Sequence, residues 1–276
     1  MPELPEVETV ARLIRGKLVG RRIGRCDVRW KRTTGGLDAK ALERRVRGAK
    51  VAGVRRRAKY LVIELERRGK PAGALLGHLR MTGRMQIDPR GADPGPFVKV
   101  SLDLDDGHVF HFLDVRKFGR LVFTEDADGE LAKLGPEPLS DAFTADGFFA
   151  ALRAKRRAMK PLLLDQEFVA GLGNIYVDES LHRAGIHPLA RSERLPREKS
   201  DRLHAAIRAV LAEAIEREGS SFDVFYRTPE GNPGSFQDQF RVYGRGGKPC
   251  RACGTKVTRV VVGQRGTWFC ARCQRR

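Results

Sequence analysis

The chain has 276 residues, 41% of them apolar, and its 53 Lys and Arg against 34 Asp and Glu leave a formal net charge of +19. That length holds two domains with cores of their own, and that apolar content excludes a disordered polyelectrolyte. So large a cationic excess selects a polyanionic partner, nucleic acid before a membrane surface, because no apolar run approaches the roughly 20 residues of a spanning helix.

Residues 3 to 19 place Val7, Val10, Ala11, Ile14 and Leu18 at helical spacing, with Pro2 and Pro5 at the start and Glu3, Glu6 and Glu8 at the positive end of the helix dipole. This acidic opening is unlike a signal peptide, so cytoplasm is the expected compartment. The opening Met1-Pro2-Glu3-Leu4-Pro5-Glu6 has two readings. One is a helix start decorated with proline and acid. The other begins with removal of Met1, which a small second residue permits and which frees Pro2 as a secondary amine. An α-amino group titrates near pH ~8, so part of it is unprotonated at neutral pH. Such an amine can attack a sugar C1′ and give a cationic iminium, an electron sink, with Glu3 beside it to move protons.

From about 21 to 125 the pattern changes to short β-like runs, among them Val51–Val54, Tyr60–Leu65, Val98–Leu104 and Val109–Phe112, separated by Gly and Pro clusters. This predicts a β-sandwich with a helix attached. Within it, His78-Leu79-Arg80-Met81-Thr82-Gly83 and Asp114-Val115-Arg116-Lys117-Phe118-Gly119 mix basic and large apolar residues next to glycine. Ordinary strand-and-turn sequence accounts for either segment alone. A DNA partner gives them work: Met81 and Phe118 as wedges in the base stack, and Arg116 filling the vacancy beside a widowed base.

Leu134–Ser140, with Pro136 and Pro138, reads as a linker, and helices are predicted over 144–154, 161–166, 174–184 and 197–217. Gly171-Leu172-Gly173-Asn174-Ile175-Tyr176 is not a dinucleotide fingerprint, because Tyr176 stands where the third glycine belongs. A glycine turn entering a helix exposes N–H groups to an anion, and Asn174 adds a side-chain donor; a packing joint accounts for the segment equally well. The aperiodic stretch Ser220–Gln237 is too long for a passive turn and is a candidate lid.

Cys250, Cys253, Cys270 and Cys273 close the chain as two C-x-x-C pairs with sixteen residues between them. Two disulfides are the alternative, but paired knuckles suit tetrahedral zinc, and the one remaining cysteine, Cys26, does not suggest a secreted framework. The basic residues around the pairs, among them Arg251, Arg259, Arg265 and Arg272, suit a phosphate backbone.

In order, Pro2-Glu3-Leu4-Pro5-Glu6-Val7-Glu8-Thr9, Arg57-Ala58-Lys59-Tyr60-Leu61, His78 to Gly83, Asp114 to Gly119, Lys160-Pro161-Leu162, Gly173 to Glu179 and the terminal cysteines resemble the bacterial formamidopyrimidine-DNA glycosylases, also called 8-oxoguanine-DNA glycosylases. The resemblance runs over essentially the whole chain. It implies an α+β protein in three parts: an N-terminal β-sandwich with an N-terminal helix (1–134), a helix-two-turns-helix region with a base-recognition lid (135–236), and a β-hairpin zinc finger (237–276). It also implies a bifunctional glycosylase and AP lyase of base excision repair, acting as a monomer on duplex DNA with damaged bases or abasic sites lying between the domains. Pro2 would be the Schiff-base nucleophile, Glu3 the acid/base and Glu6 their support. Lys59, His78, Asn174 and Arg265 would grip phosphates, with Tyr243 and Lys160 as further DNA contacts. Met81, Arg116 and Phe118 would intercalate, and one structural zinc would sit on the four cysteines, fixing Arg265.

The chain departs from that pattern at Phe225-Tyr226-Arg227-Thr228, inside the segment Phe222–Ser235 that aligns with the lid, which leaves the preference among oxidised purines open. An endonuclease VIII-like enzyme for oxidised pyrimidines would share Pro2, Glu3 and the finger, but typically has glycine where this chain has Leu4. A non-catalytic zinc-ribbon nucleic-acid binder would have no need of a free proline amine.

Overall fold

The computed structural model describes residues 1–221 and 226–275. The chain forms two compact units, Met1–Ala132 with Glu218–Ser235, and Lys133–Arg217 with Phe236–Arg276.

The first unit opens with α1 (Leu4–Leu18), whose Val7, Val10, Ala11, Ile14 and Leu18 are all buried. Next come β1 (Ile23–Val28), α2 (Ala39–Val46), β2 (Lys50–Arg57), β3 (Tyr60–Arg67), β4 (Lys70–His78), β5 (Gly83–Pro89), β6 (Val98–Leu104), β7 (His108–Asp114), β8 (Arg120–Thr124) and α3 (Ala127–Leu131). The strands make two four-stranded antiparallel sheets, ordered β1-β6-β7-β5 and β2-β3-β4-β8. Alternation on β6 and β7 sends Val100, Leu102, Phe110 and Phe112 into one core with α1 and with Leu61, Ile63 and Leu75 of the other sheet. The expected sandwich is therefore present, but it includes a short helix, α2, inside the stretch read as strands, and a second, α3, just beyond it. Helix α2 spans only eight residues; it is held by the Asp38 carboxylate, which caps the Ala41 N–H, and by the buried Leu42 and Val46.

The second unit holds α4 (Ala145–Arg153), α5 (Met159–Leu163), α6 (Asn174–Ala184), α7 (Arg197–Glu216) and the hairpin β9 (Thr258–Val262) with β10 (Arg265–Phe269). Gly173 caps α6 at its start, and Gly185, in the left-handed region at φ 68°, ends it.

Of the expected three parts, the second and the finger group into one unit by their contacts, and α6 carries the finger through side-chain bonds described below. The segment Glu218–Ser235, expected with the helices, belongs to the first unit. Tyr226 is part of that unit's core, and its hydroxyl donates to the Glu218 carbonyl at 3.0 Å. Of the expected lid, positions 222–225 lie outside the described residues.

Candidate active site and nucleic-acid interface

At the amino terminus Met1 is exposed while Pro2, Glu3 and Glu6 are buried. Glu3 and Glu6 form a reciprocal capping box, the pairing that settles orphan N–H groups in a first helical turn. One Glu6 oxygen accepts the Glu3 N–H at 2.8 Å, and the other accepts the Ser220 N–H at 2.8 Å. Gly219 permits that second bond: it sits at φ 79°, and a Cβ there would lie 2.7 Å from Glu6 Cγ. Glu6 thus fastens the residue after Pro2 to the start of the segment that runs into the expected lid.

Lys59 lies in the two-residue turn after β2, beside Ala58 at φ 53°, with most of its surface buried. The register sets Tyr60 opposite His78, and their rings meet edge to face at 4.7 Å. Burial, then the charges of Arg80 and Lys59, pushes His78 down to about 3. The ring is therefore neutral at working pH. Its Nδ1 accepts the Arg80 N–H at 3.0 Å, which leaves the proton on Nε2, the nitrogen available to donate to a phosphate.

The two expected wedge segments come together because β5 begins, and β7 ends, at the pair Gly83↔Asp114. Asp114 has no exposed surface and joins both loops. Its Oδ1 takes the Thr82 hydroxyl from one loop and the Arg116 N–H, at 3.1 Å, from the other; its Oδ2 takes the Gly119 N–H at 2.6 Å. Arg80 and Lys117 turn the chain at φ 54° and 61°. Beyond this clasp the tips are bare: Met81 is 38% and Phe118 49% exposed, and the Arg116 guanidinium lies 5.1 Å from the Phe118 ring centroid. Exposed apolar tips on a fixed base are what a wedge requires.

In the second unit the hairpin turns through Gly263 and Gln264, both at positive φ, as a tight two-residue turn demands, and Arg265 stands exposed just after it. Helix α6 holds that hairpin. Asn174 Nδ2 donates to the Gly266 carbonyl at 3.0 Å, and the Asp178 carboxylate accepts the Trp268 N–H at 2.9 Å. Glu179 accepts the N–H groups of Arg241, Val242 and Tyr243, and the Tyr243 ring lies 4.5 Å from that of Trp268. Burial pushes both carboxyls upward; the Lys160 ammonium, then the Trp268 N–H, pull Asp178 back, and the three N–H groups pull Glu179 back.

Lys160 corrects an expectation. It was placed as a DNA contact, yet it is 0% exposed, with its ammonium 2.8 Å from Asp178 and 2.9 Å from the Gly266 carbonyl. A buried ammonium with a buried counter-ion cannot also reach a phosphate; here it braces the backbone next to Arg265.

The four terminal cysteines converge, with every sulfur within 4.8 Å of the others. The closer pairs, Cys253–Cys270 at 3.4 Å and Cys250–Cys273 at 4.0 Å, are too long for disulfides. They bracket the ~3.8 Å edge of a tetrahedron with metal–sulfur bonds of about 2.3 Å. The site fits one structural zinc. Cys26 is remote from it in sequence, and burial, first, and then Glu43 and Asp103 raise its thiol to about 12.

Comparison with known proteins agrees along the full length. The formamidopyrimidine-DNA glycosylase N-terminal domain matches residues 1–121, the formamidopyrimidine-DNA glycosylase H2TH domain residues 134–226, and the zinc finger found in FPG and IleRS residues 247–276. A formamidopyrimidine-DNA glycosylase of Xanthomonas campestris pv. campestris is 43% identical over 282 residues, covering 100% of each chain. The chain belongs to the formamidopyrimidine-DNA glycosylase family. Among solved members of that family, MutM (Fpg) of Thermus thermophilus is 42% identical, with a TM-score of 0.87 over 99% of this chain and 98% of its own. A mutant of the Lactococcus lactis Fpg, solved with Fapy-dG-containing DNA, is 35% identical, with a TM-score of 0.89 over 100% of both.

For a member of this family, the residues that reasoning from sequence left without a role are the ones that position others: Thr82, Asp114, Asp178 and Glu179. One signal was available for the last two. Asp178 and Glu179 are adjacent acids within a helix flanked by Tyr176, Val177 and Leu181, and buried carboxylates require partners.

Proposed function

We propose that this glycosylase excises oxidised purines, 8-oxoguanine and formamidopyrimidines, from duplex DNA and then cuts the strand. The observation that carries the reading is the Glu6 bridge, which holds the Pro2–Glu3 terminus in a buried, fixed position. Once Met1 is removed, the Pro2 nitrogen attacks C1′ of the damaged nucleotide. The C1′–N bond breaks and the base leaves with a proton delivered through Glu3. Ring opening gives an iminium between Pro2 and C1′. Loss of a C2′ proton expels the 3′ phosphate, a second elimination expels the 5′ phosphate, and water releases the amine. Lys59, His78, Asn174 and Arg265 hold phosphates, while Met81, Arg116 and Phe118 occupy the gap left by the extruded nucleotide. Zinc takes no part in these steps; it fixes the hairpin that presents Arg265. The purine assignment rests on Leu4 in the opening motif and on the complete wedge set. The protein works as a monomer in the bacterial cytoplasm; among the described residues no helix is long and apolar enough to cross a membrane.

Borohydride trapping on a duplex with one 8-oxoguanine opposite cytosine tests the proposal. A covalent adduct mapped to Pro2 is expected. An adduct with thymine glycol instead moves the protein to oxidised pyrimidines, and none with either lesion or an abasic site, from protein confirmed to begin at Pro2, overturns the lyase reading.

A further inference from the structure

The zinc site has a neighbour outside its four cysteines. His182, in the last turn of α6, is 5% exposed, and its Nε2 lies 3.5 Å from Cys250 Sγ. Its other nitrogen, Nδ1, is buried with no hydrogen-bond partner among the described residues. That asymmetry fixes the tautomer. A proton on Nδ1 would leave a buried donor unpaired and aim the Nε2 lone pair at sulfur; a proton on Nε2 lets the ring donate to the thiolate. The placement is built from both sides. Gln274 accepts the Cys270 N–H at 2.8 Å and donates to the Ile186 carbonyl at 2.9 Å, joining the second cysteine knuckle to the chain just beyond α6.

We infer that His182 is a positioning residue of the zinc site, donating an Nε2–H···S hydrogen bond to the Cys250 thiolate. Four thiolates on Zn²⁺ leave a net charge of about −2 in a partly buried site. An N–H donor aimed at one sulfur spreads that charge and makes the sulfur a poorer base and a poorer nucleophile. Partners of this kind are worth about 10–100-fold in metal affinity. The inference concerns metal retention and stands whichever base the protein excises.

The test compares wild-type protein with His182→Phe, which keeps a ring but has no donor, and His182→Gln, whose amide can reach the Nε2 position. Zinc transfer to a chromogenic chelator is expected to be about 10-fold or more faster in His182→Phe and near wild type in His182→Gln. In cobalt-substituted protein the sulfur-to-metal charge-transfer band should move to lower energy in His182→Phe and return in His182→Gln. A packing role predicts a different result: faster zinc loss in both variants with an unmoved band. That outcome, or wild-type zinc retention in His182→Phe, overturns the inference. Should His182→Phe fail to fold, the position of the band in His182→Gln against His182→Ala decides the matter in the same way.

Discussion

The wedge loops and the zinc hairpin face the same problem, holding exposed side chains still at the end of a short loop, and solve it with different means. The loops carrying Met81 and Phe118 run from one sheet to the other, β4 to β5 and β7 to β8, over a core that includes Phe110, Phe112 and Met85. With that foundation, one buried carboxylate, Asp114, suffices to close both loops through hydrogen bonds. The hairpin carrying Arg265 has little beneath it: its buried cluster is Val242, Cys250, Val257 and Cys270. It borrows rigidity from a metal and from α6, which grips it through Asn174, Asp178 and, by way of Lys160, the Gly266 carbonyl. In these two regions the means of holding an exposed loop follows the size of the core below it, and metal or ionic fastening appears where that core is small.

If the two regions are fastened independently, Cys250→Ser should have the largest effect and confine it to one of them. Structural zinc binding supplies about 10–16 kcal/mol in finger peptides, so its loss should disorder the hairpin while sparing the wedge loops. Metal analysis should find less than one zinc per chain, and duplex affinity should fall about 10–100-fold, the worth of a charge-assisted phosphate bond. Next comes Lys160→Met, which leaves Asp178 buried without its counter-ion. A loss of about 3–5 kcal/mol in urea unfolding is expected, with recovery in the Lys160→Met, Asp178→Asn double variant. Additive losses in the double variant would show that the pair does not act as a unit.

On the wedge side, Asp114→Asn offers one carbonyl where two oxygens served, and turns an amide toward an N–H. It should cost about 1–3 kcal/mol of stability and slow excision by up to about 100-fold, with zinc content unchanged. Single-turnover kinetics separates this from a binding defect. The last effect expected is pH-dependent. His78 has a folded value near 3 against about 6.5 in the unfolded chain, so the unfolded chain binds the extra proton. Its contribution is whole above pH ~6.5 and lost as pH falls from there toward 3. His78→Asn keeps an acceptor for the Arg80 N–H and removes the titration, so unfolding midpoints between pH 7 and 4 should fall less steeply than in wild type.

The parts legible in the sequence are those with a period or a fixed spacing. Helix α1, strands β2, β3, β6 and β7 and the four cysteines follow from alternation, helical stripes and the C-x-x-C repeat. The parts that were not legible depend on pairings across distance. Nothing local in Lys160 distinguishes an ammonium facing phosphate from one buried against Asp178, because the partner is a full helix away in the chain. Asp114 stood inside a recognised segment, yet its role needs Thr82, which only the β5–β7 register brings to it. Tyr226 reads as part of a polar lid, and its place in the first unit's core follows from a return of the chain that no local pattern records.

That return has a consequence for how the protein is made. The first unit contains Glu218–Ser235, so the ribosome must finish Lys133–Arg217 before the sandwich can receive its last piece. At roughly 5–20 residues per second, a nascent sandwich waits several seconds with Glu6 lacking its Ser220 partner and the Tyr226 place in the core unfilled. A chain stalled or cleaved before residue 218 would carry the Pro2 terminus without its Ser220 tether. The order of synthesis thus leaves the Glu6–Ser220 bond unmade until α4 to α7 have all been synthesised.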